Sequence, residues 1–538
     1  MPAGKTSQDY HFQFQLRSLT YIILQHKFPL QLPANLSAMQ LPMSLIRTAL
    51  RPTISVSARF ASRQVAIGLG RSRLISQSVS KNGAAEVHGV GLVEQAPSTL
   101  EREFWRAVPV WRDVGESDFL SYRWSIANLV QGPEKLHKFL TSVLPEEIPL
   151  DQASGTVQSQ QDLIADIYAG ISAATMALRM TPYILSRINW QNPRTDPVFR
   201  QFIPLKSMMR PDHPNLVLDS LHEAADSPVN GLVHRYPDKA LFLPTSVCPT
   251  YCTFCTRSYA VGADTESVLK SSLKPTRKRW EQCFEYIESQ PALQDIVVSG
   301  GDSYYLQPEH IMMIGERLIS MPNIKRFRFA SKGLAVSPNR IIDRSDQWVD
   351  AIISVSNKAR KMGKAVALHT HFNHPNEISW VTELAAQKLF EAGVTVRNQT
   401  VLLRGVNDNV ATMSQLIRSL ANMNILPYYV YQCDMVEKVE HLRTPVQTIL
   451  DLEKQIRGSI AGFMMPQFIV DLPGGGGKRL AHSFKSYDRR TGRSTYEAPA
   501  VKGRGKENKV YEYWDPIEPS VEDEGTTQDN YAQVVQQA

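Results

Sequence analysis

Residues 241–255 read LFLPTSVCPTYCTFC: an apolar run from Leu241 to Val247 that delivers three cysteines, Cys248, Cys252 and Cys255, in the spacing C-x3-C-x2-C. The run has the length and character of a buried strand, which places the thiols at its carboxyl end. The same grammar repeats downstream. β-rich runs at 295–299, 326–331, 365–372, 395–403 and 426–432 alternate with amphipathic stretches such as 277–289, 310–320 and 378–392. Six strand-then-helix repeats predict an α/β fold, a parallel sheet curled into a full or partial barrel whose chemistry sits at the carboxyl ends of the strands. The distinctive motifs fall there: Cys248 after the first strand, Gly300-Gly301-Asp302 after the second and Asp434 after the sixth. A last run, 468–472, leads into Gly474–Gly477 and Lys478.

Around this barrel, expected over 233–480, lie a region read as helical over 98–232 and a polar extension over 481–538 that reads as loosely attached. With 43% hydrophobic and 21% charged residues in 538, the chain has ordinary globular composition. No apolar stretch approaches the roughly 18 residues needed to cross a bilayer, so no membrane partner is expected. The net charge of +7 is concentrated at the front, where residues 1–85 carry ten Lys or Arg against the single acid Asp9. The remainder is close to neutral and gives no electrostatic reason to expect nucleic acid. The leader has transit-peptide composition, best formed from Met43 with Arg47, Arg51 and Arg59 among apolar residues. A presequence over 43–87 implies the mitochondrial matrix, and 1–42 reads as an upstream extension; a basic tail without targeting function is the alternative.

Five cysteines, three of them crowded, suit metal better than a disulfide framework. A structural zinc takes four closed ligands, and neither Cys283 nor Cys433 has a neighbour to form a second half-site. A 4Fe–4S cluster held by three cysteines leaves one iron open to a substrate or cofactor; zinc completed by a distant histidine is the alternative. Ser299-Gly300-Gly301-Asp302 ends a strand, where glycines let the backbone approach a ligand and a carboxylate can accept from an ammonium group. In Asp471-Leu-Pro-Gly474-Gly-Gly-Gly477-Lys478-Arg479 the phosphate-loop reading fails, because Leu472 and Arg479 stand where Gly and Ser or Thr are needed. A lysine on a four-glycine hinge can instead form a Schiff base and swing aside; an exposed turn is the bland alternative.

The segments DSPVNGLVHRYPDK, CPTYCTFCTR, SGGD, HTHFNHPNE, NQTVLLRGVND, PYYVYQCD, RTPV and VDLPGGGGK, in that order over roughly 180–480, resemble the lysine 2,3-aminomutase family of radical-SAM enzymes. Phe254 before the last cysteine completes the likeness to the radical-SAM signature. The resemblance implies a partial (βα)6 barrel with an N-terminal helical region and a C-terminal extension, in a eukaryotic, mitochondrial member. It implies a 4Fe–4S cluster on Cys248, Cys252 and Cys255, S-adenosylmethionine contacted by Ser299, Gly300, Gly301, Asp302, His371 and Gln399, and pyridoxal 5′-phosphate on Lys478 with Arg235, Tyr236 and Lys239 in its pocket. Arg257 is then the partner of the substrate carboxylate, and Asp434 and Asp471 grip the far ammonium of L-lysine, which is isomerised to β-lysine with electrons from a reductase. Alternatives are another cationic amino acid, a protein-bound lysine, or a silent scaffold that keeps the cluster. Three departures stand out. Lys239 replaces the usual arginine, Ala330-Ser331-Lys332-Gly333 replaces a Gly-Ser-Arg-Thr-like stretch, and Asn409 occupies the place of a zinc-ligating cysteine found in bacterial relatives. That zinc is therefore not expected, and a homo-oligomer is compatible with the resemblance without being implied by it.

Overall fold

The computed structural model describes residues 102–150, 155–499, 501, 506 and 508–518; the upstream extension and the presequence lie outside the described residues. Its centre is a nine-stranded sheet: β1 (Leu232–Val233), β2 (Lys239–Phe242), β3 (Asp295–Val298), β4 (Arg326–Ala330), β5 (Ala365–Thr370), β6 (Thr395–Leu402), β7 (Leu426–Gln432), β8 (Gln467–Leu472) and β9 (Gly477–Leu480). The strands lie side by side in chain order, parallel from β2 to β8 and with an antiparallel strand at each edge. Sequential order with right-handed crossovers puts all the connecting helices on one face and lets the twisted sheet curl. β1 and β9 do not pair with each other, so the barrel is partial.

The crossover helices are α1 (Arg277–Glu288), α2 (Pro308–Ser320), α3 (Trp348–Lys361), α4 (Trp380–Glu391), α5 (Val410–Asn422) and α6 (Val446–Ile456). Each presents an apolar stripe at three- and four-residue spacing, as Trp280, Cys283, Phe284 and Ile287 do on α1. Starts are chemically marked: Thr276 caps α1 and Ser379 caps α4. Asn409 caps α5 by accepting the Thr412 N–H at 2.9 Å, which gives a local reason for that residue. The first barrel strand ends at Phe242 rather than Val247. Pro244 has no N–H to give a ladder, and the backbone from Thr245 to Val247 pairs instead with the turn after β3.

Ahead of the barrel, helices Pro133–Val143 and Gln160–Ala173 are accompanied by short helical turns and two two-stranded ladders, Val130–Gln131 with Arg179–Met180 and Glu147–Pro149 with Val157–Ser159. The region read as helical over 98–232 is thus interrupted, and its longest helix ends before Ala174, where the backbone turns extended.

The C-terminal extension differs most from expectation. Instead of hanging loosely, residues to Glu518 form a three-stranded antiparallel sheet, β10 (Ser486–Asp488), β11 (Arg493–Glu497) and β12 (Val510–Trp514). Tyr496, Tyr511 and Tyr513 are buried in one core with Phe468, Val470 and Leu472 of β8 and Ile449 and Leu452 of α6. Tyr511 and Tyr513 are two residues apart and so share a face. Their burial, with the hydroxyl of Tyr513 donating to the Cys433 carbonyl at 2.8 Å, docks an otherwise polar tail.

Candidate active site

The three cysteines follow β2 as half-buried free thiols. Burial raises all three, Cys252 to about 12, and each of Cys248 and Cys252 is further raised by neighbouring members of the trio, so the sulfurs sense one another. Among the described residues, no three His, Cys, Asp or Glu side chains are gathered as ligands of one ion. A zinc would need its thiolates about 3.8 Å apart, from a Zn–S bond of about 2.3 Å, whereas a four-iron cluster binds each cysteine on a separate iron and spreads them more widely. Three thiols from one loop are the donor set of a cluster with one open iron, one short of the four that a closed zinc site takes. The loop is anchored away from the thiols: Thr253 binds the Gln201 carbonyl through both its N–H and its hydroxyl at 3.0 Å, and the Tyr251 N–H binds Arg179 O at 3.0 Å.

Ser299, Gly300, Gly301 and Asp302 lie at the end of β3, but their immediate duty is to this loop. A Cβ on Gly300 would lie 2.2 Å from the Thr245 carbonyl oxygen, and one on Gly301 2.6 Å from the Ser246 and Val247 backbone. The missing Cβ atoms therefore admit the chain's own backbone. Asp302 is buried and accepts the N–H groups of Tyr304 and Lys332, both at 2.8 Å. Burial lifts its carboxyl to about 6 despite those bonds. The expected ammonium-binding carboxylate is thus engaged with backbone here.

On the other side of the barrel mouth, Asp471 and Lys478 are paired across the β8–β9 hairpin, their Cα atoms in register and their side chains in an ion pair. Burial works against the Lys478 charge, but Asp471, Tyr431 and Tyr236 more than offset it and hold the ammonium well above its ordinary value. The lysine lies over the Tyr431 ring at 5.4 Å, and its N–H donates to the Tyr236 hydroxyl at 3.1 Å. Oδ1 of Asp471 is buried without a partner, an oxygen suited to a further cation. Asp434, beyond the end of β7, accepts the Thr256 hydroxyl at 2.5 Å. Burial and then the Asp471 charge raise its carboxyl to about 7. The Thr256 bond joins the acidic pair directly to the residue after Cys255, so the cysteine loop, both acids and the glycine hinge form one continuous site.

Arg257 is held by Glu223 through two parallel bonds, Nε to Oε2 and Nη2 to Oε1, each 2.8 Å, and the Tyr259 hydroxyl donates to the same carboxylate at 2.9 Å. Its fork, expected to meet a substrate carboxylate, is therefore already occupied along one edge. Arg235 is buried and donates Nε to Asp226 at 2.8 Å. Lys239 stands over the Tyr236 ring at 3.9 Å rather than in an ion pair, and burial lowers its ammonium below the usual value. His371, just past β5, shares 3.1 Å with Asn373 Oδ1 and packs edge-on to Phe254 of the cysteine loop; burial first and then Lys332 keep it neutral. Gln399 on β6 reaches His369 Nδ1 at 3.2 Å.

Several site residues escaped the sequence reading. Glu223 and Asp226 carried a signal, as acids three apart in the dozen residues before Arg235. Lys332, noted only as a departure, is buried and binds Glu377 at 3.1 Å and the His371 carbonyl at 2.8 Å. Lys506, far along in a polar stretch, bonds both oxygens of Asp226 at 2.6 and 2.7 Å.

No family model matches the chain. It is 36% identical over 375 residues to the L-lysine 2,3-aminomutase of Clostridium subterminale, covering 69% of this chain and 80% of that one. It is 34% identical to the L-lysine 2,3-aminomutase of Bacillus subtilis, covering 70% and 72%. The glutamate 2,3-aminomutase of Clostridioides difficile is 27% identical, covering 68% and 76%. Among solved structures, SuiB of Streptococcus suis bound to S-adenosylmethionine overlaps 44% of this chain and 51% of its own at 12% identity and a TM-score of 0.31.

Proposed function

Because this chain belongs to the lysine 2,3-aminomutase family, we propose that it is an isomerase converting L-lysine to β-lysine by moving the amino group between adjacent carbons. The observation that carries the substrate choice is the pairing of Asp434 and Asp471 at one end of the site, with an unpartnered buried oxygen on Asp471. Two acids beside each other repel when nothing lies between them and are satisfied by a cationic chain end, a pattern that rejects glutamate and apolar side chains.

The residues fit three groups. Cys248, Cys252 and Cys255 would hold a 4Fe–4S cluster with S-adenosylmethionine on its open iron, His371 and Gln399 would line that side, and Lys478 would carry pyridoxal phosphate over Tyr236 with Arg235 near its phosphate. When bound, the cluster and S-adenosylmethionine supply hydrogen abstraction, and pyridoxal phosphate supplies an electron sink at the migrating nitrogen. Asp471 holds the proton on Lys478 until the lysine leaves, and is then open to the substrate ammonium. Thr256 fixes Asp434. Arg257, steadied by Glu223 and Tyr259, keeps Nη1 for a carboxylate. The barrel wall and the docked C-terminal sheet limit water around the reacting carbons. A reductase supplies the electron, and the basic leader supports delivery to the mitochondrial matrix.

The test is incubation of anaerobically reconstituted protein with L-lysine, S-adenosylmethionine, pyridoxal phosphate and a strong reductant, followed by mass spectrometry of derivatised amino acids. β-Lysine that disappears in Cys255→Ala and Lys478→Ala supports the reading. Its absence with a formed cluster and cleaved S-adenosylmethionine would move the substrate elsewhere.

A further inference from the structure

The glycines before Lys478 have a conformation beyond that of a simple hinge. Gly475 and Gly477 have φ of +80° and +82°, while Gly476 between them is right-handed, with φ −71° and ψ −14°. Alternating left- and right-handed residues bend the chain into a concave turn of the kind that binds anions, although here the Gly476 N–H is given to the Leu472 carbonyl at 3.2 Å and the Lys478 N–H to the Tyr236 hydroxyl at 3.1 Å. Two cations flank the turn. Arg235 and Lys506 both bond Asp226, at 2.8 Å for the guanidinium and at 2.6 and 2.7 Å for the ammonium. A Cβ on Gly475 would fall 2.8 Å from Lys506 Nζ and 3.2 Å from Asp226 Oδ2, so only glycine lets the loop reach this cluster.

All three side chains are mostly buried, with 7, 16 and 6% exposure for Arg235, Lys506 and Asp226. Two cations against one carboxylate leave a positive charge in a poorly hydrated place. The neighbouring acids Glu223 and Asp471 each face a cation of their own, Arg257 and Lys478, and so offset this charge only in part, Asp471 more than Glu223. Lys239, the other cation read into this pocket, stands over the Tyr236 ring at 3.9 Å. We propose that Lys506, from the C-terminal segment, is a phosphate-recognising residue of the cofactor pocket, joining Arg235 at the phosphoester of pyridoxal phosphate. The inference rests on the reading of Lys478 as the pyridoxal lysine. The segment is placed for it: a Cβ on Gly477 would fall 3.1 Å from Pro499 and 3.2 Å from Val501, so the segment lies close against this loop, and the Lys509 N–H closes on the Lys506 carbonyl at 3.3 Å.

The experiment titrates the full chain with pyridoxal phosphate and, separately, with pyridoxal, which lacks the phosphate, following the visible band that forms at Lys478. Lys506→Met is expected to weaken the phosphorylated form by about tenfold or more, leave pyridoxal unchanged, and be largely rescued by Lys506→Arg. An unchanged ratio of the two affinities, or equal weakening of both, would overturn the proposal and leave Lys506 as a latch for the segment. Should Lys506→Met fail to fold, inorganic phosphate provides the second measurement. It should raise the thermal midpoint of the wild-type chain and compete with pyridoxal phosphate, and failure to do either overturns the proposal. A wild-type chain that forms no Lys478-dependent band would instead remove the pyridoxal reading itself, and this inference with it.

Discussion

Asp471 and Lys478 face each other across the β8–β9 hairpin as an ion pair. The acid proposed to grip a substrate ammonium is thus occupied by the lysine proposed to hold the cofactor. The two ammonium groups compete for one carboxylate, so cofactor attachment at Lys478 and opening of the substrate site are coupled.

Asp471→Asn should act on both partners. Without the carboxylate, burial dominates and the Lys478 ammonium falls in pKa, so pyridoxal phosphate should add to Lys478 at lower pH than in wild type. The KM for lysine should rise by at least about tenfold, in line with the 2–5 kcal/mol lost when one member of a buried charge pair is truncated. Spectrophotometric pH titration and steady-state kinetics measure the two effects separately.

Asp434 should give the pH dependence of substrate binding. Its carboxyl sits at about 7 because of burial and the Asp471 charge, and only the ionised form attracts an ammonium. KM for lysine should therefore fall as pH rises through about 7, and Asp434→Asn should flatten that profile. The stability sign is opposite. A folded value above the ordinary carboxylate value of about 3.9 means the folded chain keeps this proton longer, so its contribution declines as pH rises between about 4 and 7.

Cluster loading should separate the cysteines cleanly. Replacing Cys248, Cys252 or Cys255 by Ala should abolish stoichiometric iron and sulfide after reconstitution. Cys283→Ser, in α1, should retain both. Iron retained in Cys252→Ala would remove that residue from the ligand set.

Glu223→Ala would leave the Arg257 fork and the Tyr259 hydroxyl without their shared carboxylate. A loss of about 2–4 kcal/mol in urea unfolding is expected, below the full cost of a broken buried pair because Arg257 keeps 23% side-chain exposure. A higher KM for lysine should accompany it, and Glu223→Gln, which keeps the shape, should cost less.

Tyr513→Phe removes a hydroxyl that donates to the Cys433 carbonyl at 2.8 Å and accepts from Gln432 Nε2 at 3.2 Å. About 1–3 kcal/mol should be lost, seen as a lower urea midpoint at unchanged slope. Because Cys433 precedes Asp434, the effect should reach KM as well.

The barrel was legible in the sequence because its strands are short apolar runs at regular spacing and their ends carry unusual residues. Thr395–Leu402 is a case: its Thr and Val content marks a strand, although the face it buries, Val396, Asn398, Thr400 and Leu402, is half polar. The lysine, the cysteines and the acid pair were found for the same reason, that each stands in a rare local context. Partners were harder. Arg257 announces a fork, but nothing local says that Glu223 fills one edge of it, and nothing local to Asp302 says that the N–H groups of Tyr304 and Lys332 bond to it. The docked tail was missed because its apolar surface comes from three tyrosines spaced along a polar stretch, and Lys506 because its partner lies in another part of the chain.

The Tyr513 contact also sets an order of events during synthesis. About 250 residues separate the cysteine loop from the strand whose hydroxyl steadies the neighbouring wall. At 5–20 residues per second that interval is about ten to fifty seconds. Through that time the nascent chain carries three thiols without the tail that completes the adjoining pocket, so protection of those thiols from oxygen has to begin during translation rather than with the finished enzyme.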